Sequence, residues 1–94
     1  MATLINRERA ALLLEIQFEQ ELRRRGQSAA QLARTIGAAR SSVSRDLAGG
    51  LSRAKLERVE AMADALECDL YNVVLPRDRA ARRQKLREVT RLLR

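Results

Sequence analysis

The sequence predicts an all-α fold of five helices, with an extended first helix and a basic last one. Three observations lead there. Apolar residues make up 46% of the 94 and aromatic residues only 2%, so a core must come from Leu, Ile, Val, Ala and Met. Such an Ala-rich, aliphatic composition favours helix. Proline occurs once, as Pro76, so no proline interrupts a helix before it. Apolar residues also recur at three- and four-residue spacing, the period of a helix rather than of a strand. A chain of 94 residues suffices for one modest core and not for two. The expected organisation is a domain over 1–76 followed by a basic helical segment over 77–94.

Residues 3–25 read as the first helix. At about 100° per residue, Ala11, Leu14, Phe18 and Leu22 form one apolar stripe, and Ile5, Leu12, Leu13 and Ile16 lie almost opposite. One face can meet the core; the other needs a second partner. Arg23, Arg24, Arg25 and Gly26 end the helix, cations suiting its negative end and glycine its left-handed cap. Ser28 caps a second helix whose apolar face is Leu32, Ala33 and Ile36, and Gly37 stops it. A third helix runs from about Ala39 to Ala48, with Val43 and Leu47 inward. Gly49 and Gly50 close it. Ser52 then caps a fourth helix with Leu56, Val59, Met62, Ala63 and Leu66 inward. The run Leu70 to Leu75 is short and rich in β-branched residues. Segment 69–75 therefore reads equally as a short strand or a short helix. Beyond Pro76, Leu86, Val89 and Leu93 mark a narrow seam, the pattern of a helix that pairs.

Net charge is +7, and the basic excess points to a polyanionic partner, of which nucleic acid is the commonest. The charge is unevenly spread. Residues 77–94 hold eight Lys and Arg against Asp78 and Glu88, whereas 51–76 carries two more acids than bases. That second surface should face away from a polyanion. Cys68 is the only cysteine and histidine is absent, which excludes an internal disulfide and a Cys/His zinc site. Cys68 itself reads as a small buried residue. No metal, cofactor or small-molecule ligand is expected. The serines at 28, 41, 42 and 44 suit caps and polar contacts, with no base placed to activate them, so no catalytic residue and no enzyme is expected. The apolar run Ala10 to Leu14 is broken by Glu15 and lacks a cleavage pattern, and no stretch approaches the ~20 apolar residues of a membrane span. The expectation is a cytoplasmic protein with no membrane association.

Two short helices joined by a tight turn at Gly37 form a helix-turn-helix pattern over 28–47. Each residue type follows from the packing. Ala33 is small where the helices cross, Ile36 and Val43 are apolar between them, and Gly37 allows the turn positive φ. Leu22-Arg23, then SAAQLARTIGAARSSVSRDLAGG, then LERVEAMADALECDL resemble the lambda-repressor/Cro-like family of small DNA-binding domains, over residues 22–70. The resemblance implies the five-helix DNA-binding fold, with the helix beginning near Ala39 in the major groove. Arg40, Ser41, Ser44 and Arg45 match positions that meet base edges. Gln27, Ser28, Ser42, Ser52, Arg53 and Lys55 match positions that hold phosphates.

The sequence departs from the family at three places. Ala29 stands where Gln or Glu is usual, the loop lacks its usual proline, and Asp46 stands where an apolar residue is usual. Asp46 must then reach solvent or an arginine, or the helix must be slightly rotated. The resemblance further implies a bacterial or phage-encoded transcriptional regulator, a repressor acting as a homodimer on a palindromic operator. A second expectation is an antitoxin, which would bind a toxin protein and repress its own operon. The DLYNVVLPRD segment and basic helix resemble the C-terminal part of some antitoxins, where a strand can pair across the dimer.

Overall fold

The computed structural model describes residues 2–94, and side chains from Glu8 onward. Five α-helices follow one another: α1 (Ala2–Arg25), α2 (Ala29–Ile36), α3 (Arg40–Leu47), α4 (Leu56–Ala65) and α5 (Arg79–Leu92). A 3-10 turn, Gly50–Arg53, lies between α3 and α4. The described residues contain no strand, so the fold is all-α as expected.

The core is aliphatic apart from Phe18. Ala11, Phe18 and Leu22 of α1 meet Leu32 and Ala33 of α2, Val43 of α3, Leu51 of the 3-10 turn, and Val59, Met62, Ala63 and Leu66 at α4. Each fully buried Leu, Met or Val contributes about 1.5–3 kcal/mol, and Leu32, Val43, Met62 and Leu66 are the ones sealed from water. One predicted stripe of α1 is thus in the core, with Leu14 half-buried beside it. The opposite stripe stays open: Leu12, Leu13 and Ile16 are exposed. Ile5, expected on that stripe, lies outside the residues whose side chains are described.

Local signals set the helix ends. Ser28 Oγ accepts from the Gln31 backbone N–H at 3.2 Å, and the Ser28 N–H donates to Gln31 Oε1 at 2.7 Å. This reciprocal pair satisfies two otherwise free donors at the start of α2. Gly37 adopts φ 70°, and the N–H of Ala38 donates to the Ala33 carbonyl at 2.9 Å, turning the chain from α2 into α3.

Three sequence expectations need correction. Segment 69–75 is neither strand nor helix but irregular extended chain, with Leu70 partly packed on the core and Tyr71, Val73 and Val74 exposed. No neighbouring strand offers it a ladder, and Pro76 stops a helix from growing. Ser52 does not cap α4. It sits inside the 3-10 turn, and α4 begins after Lys55 with no side-chain cap. Leu56 is exposed rather than inward. The turn carries Leu51 into the core instead, against α1, which shifts the start of α4 and leaves Leu56 on its outer side.

Cys68 is half-buried behind α4, and its thiol donates to the Leu66 carbonyl at 3.4 Å. Desolvation and the nearby Glu21 carboxylate push the thiol above its ordinary value, which disfavours the thiolate. α5 closes the chain. Asp78 caps it through the Ala81 N–H at 2.9 Å, yet none of its residues is buried.

Candidate nucleic-acid interface

α3 is the element on which the site depends. Its inner side is held by Val43, which is fully buried, and by Leu47, packed at the edge of the core. α1 and α2 both lie against it, and Ala33 of α2 is small enough to let the two helices cross closely.

The eight residues of α3 divide cleanly by face. At about 100° per residue, Arg40, Ser44, Ser41 and Arg45 occupy one continuous arc of about 140°. All four are exposed. Ser42, Asp46, Val43 and Leu47 fill the opposite arc, and all four are buried or half-buried. The four residues expected to meet base edges are therefore brought together on one outward face. Neither Arg40 nor Arg45 takes part in a salt bridge among the described residues. Both guanidinium groups keep their full set of donors for another molecule.

The residues expected to hold phosphates are more scattered. Gln27 and Ser28 stand at the start of α2, and the Ser28 hydroxyl is already engaged as the cap. Lys55 is exposed beside a groove lined by Ile36, Ser42, Asp46, Glu57, Arg58 and Ala61. Ser52 and Arg53 border a different groove, shared with Glu8 and Glu15 of α1. Each groove has two carboxylates. The one beside Lys55 balances Asp46 and Glu57 with Lys55 and Arg58, whereas Arg53 alone faces Glu8 and Glu15, which makes the latter groove less welcoming to an anion. Ser42 sits on the inner arc, and its Oγ accepts from Arg58 Nη2 at 2.8 Å.

Arg58 is the residue that sequence reasoning missed. Its Nε donates to Asp46 Oδ2 at 2.9 Å, so Asp46 reaches an arginine, one of the outcomes its unusual position allowed. The signal was indirect: an acid at this inward position of α3 must reach solvent or a cation, or the helix must rotate. Nothing in the spacing says that the cation is Arg58, because α4 as a whole reads as an acidic surface turned elsewhere.

A family model described as a helix-turn-helix domain matches residues 7–73, more than half of the chain. The chain belongs to the helix-turn-helix domain family. The match runs from α1 through the segment after α4 and leaves α5 outside. No curated protein and no solved structure matches the chain. α2 and α3, joined at Gly37, lie within the matched residues. No described helix is long and apolar enough to cross a membrane.

Proposed function

We propose that the chain is a sequence-specific regulator that binds double-stranded DNA, with α3 in the major groove. The observation that carries this reading is the division of α3, with Arg40, Ser41, Ser44 and Arg45 on one exposed arc opposite its buried one. An arginine fork pairs with guanine O6 and N7, and serine with either a base or a phosphate. Gln27, Ser28, Arg53 and Lys55 flank that arc in sequence and serve the backbone. Ser52 is a weaker member, half-buried beside the α1 carboxylates. Ser42 is better assigned to holding α3, because its hydroxyl faces Arg58.

The regulator acts as a homodimer on a palindromic operator and represses by occupying it. Exposed apolar residues on α1 (Leu12, Leu13, Ile16), on α5 (Leu86, Leu92) and at its C-cap (Leu93) support self-association. So does the shape. The radius of gyration is 14.8 Å, against about 12 Å for a compact domain of this length. The exposed run Tyr71, Val73 and Val74 favours a second reading, an antitoxin that offers this segment to a toxin protein. Co-purification with a second small protein separates the two.

Selection of bound duplexes from a random pool tests the main reading. A dimer should enrich a pseudo-palindrome with half-sites about 10 base pairs apart. A pool that stays random after repeated rounds removes sequence-specific recognition.

A further inference from the structure

Arg58 differs from its neighbours on α4. It lies in the first turn, where Leu56 and Glu57 are exposed, yet its own side chain is only 26% exposed. Its guanidinium group lies against α3. Nε donates to Asp46 Oδ2 at 2.9 Å and Nη2 donates to Ser42 Oγ at 2.8 Å. Ser42 and Asp46 are one helical turn apart on the inner arc. One planar group thus grips α3 at two points along its axis. A point charge would attract Asp46 without setting direction; a guanidinium sets direction because its N–H groups diverge at fixed angles.

That grip supplies what apolar packing lacks. α3 has eight residues, and only Val43 among them is fully buried. Apolar contact is non-directional, so Val43 and the half-buried Leu47 fix the depth of this short rod more firmly than its roll. A roll of about 20° sweeps a side-chain tip, some 5–6 Å from the axis, through about 2 Å. Hydrogen bonds to base edges do not survive such a displacement.

We infer that Arg58 is a positioning residue for sequence discrimination: by bridging Ser42 and Asp46 it sets the roll of α3, and so the direction in which Arg40, Ser41, Ser44 and Arg45 point. The inference rests on the DNA-binding reading above and adds to it a residue that touches no base. Two rivals are excluded by different readouts. A purely structural Arg58 affects melting but not the preference for one sequence over another. A phosphate-binding Arg58 affects all sequences alike and changes the salt dependence.

The test uses the full chain with Arg58→Met, which keeps the stem and removes the fork, and with Arg58→Lys and Ser42→Ala. Affinity is measured by fluorescence anisotropy for the duplex enriched from the random pool and for an unrelated duplex of equal length. Both are titrated over a salt series, and circular dichroism follows folding. Arg58→Met should lower the ratio of the two affinities about tenfold or more, one base pair's worth of discrimination, with little change for the unrelated duplex or in salt slope. Arg58→Lys should not restore the ratio, and Ser42→Ala should give a smaller fall. An unchanged ratio in folded Arg58→Met overturns the inference. So does an equal loss on both duplexes, or a salt slope reduced by about one. If Arg58→Met does not fold, Ser42→Ala and Asp46→Asn each weaken one arm of the grip, and an unchanged ratio in both overturns it. A wild-type chain that enriches no sequence overturns the DNA-binding reading and this inference with it. A discriminating wild type beside an equally discriminating Arg58→Met overturns the inference alone.

Discussion

Arg45 and Gly50 meet at the C-terminal end of α3, and each carries a separate expectation. Arg45 is exposed on the outer arc and has no ion-pair partner among the described residues. Arg45→Ala should weaken binding to the selected duplex by about 1–3 kcal/mol, the value of a bidentate arginine–guanine pair. Random DNA should lose much less. Anisotropy titrations of both duplexes decide the matter, and equal losses would reduce Arg45 to a backbone contact. Gly50 matters for a different reason. A Cβ added there would lie 2.7 Å from the Arg45 carbonyl oxygen and 3.1 Å from its carbon. Both are backbone atoms, so relief requires moving the end of α3. Gly50→Ala should cost about 1–3 kcal/mol. Each kcal/mol corresponds to about 4–8 °C in a domain of this size, measurable by thermal unfolding.

α2 and α3 are eight residues each, too short to persist alone in water. Their stability comes from the core and from their ends. The Ser28–Gln31 pair caps α2, while Ala39 gives α3 no side-chain cap. Ser28→Ala should therefore destabilise the domain by about 1 kcal/mol in chemical denaturation, with an unchanged m-value. Capping was readable in the sequence, because serine followed three residues later by glutamine is a local pattern. The start of α4 was not. Ser52 looks like a cap, but the 3-10 turn absorbs it so that Leu51 can enter the core. That choice depends on the space left by α1, which no local pattern encodes.

Taken whole, the molecule is a packed domain with exposed apolar residues on α1, in 71–74 and on a basic last helix that has no fully buried residue. α5 spans 14 residues and carries most of the basic charge of 77–94, yet no residue of it is buried. An isolated helix of that length is marginal in water, and within the chain only the half-buried Ala81, Lys85 and Val89 give α5 any contact. Removing residues 77–94 should shift the chain toward monomer in sedimentation, if α5 mediates the dimer. If its arginines meet the DNA backbone, removal should instead flatten the salt dependence of binding. A truncated chain unchanged in both respects would leave α5 without either role.

The helical class, the positions of α1 to α3 and the glycine turn followed from residue order, and the set Arg40, Ser41, Ser44 and Arg45 from the family resemblance of that stretch. The first three depend on interactions within one or two turns: apolar periodicity, a cap, a residue able to take positive φ. The entry of Leu51, the exposure of Leu56, the irregular path through 69–75 and the partner of Asp46 did not follow. Each is settled by which surface happens to lie across from it once several helices are assembled. Arg58 shows the difference most clearly. Twelve residues from Asp46 in the chain, it comes within 2.9 Å only because α4 packs beside α3. A directional bond across two helices exists only after both have been placed.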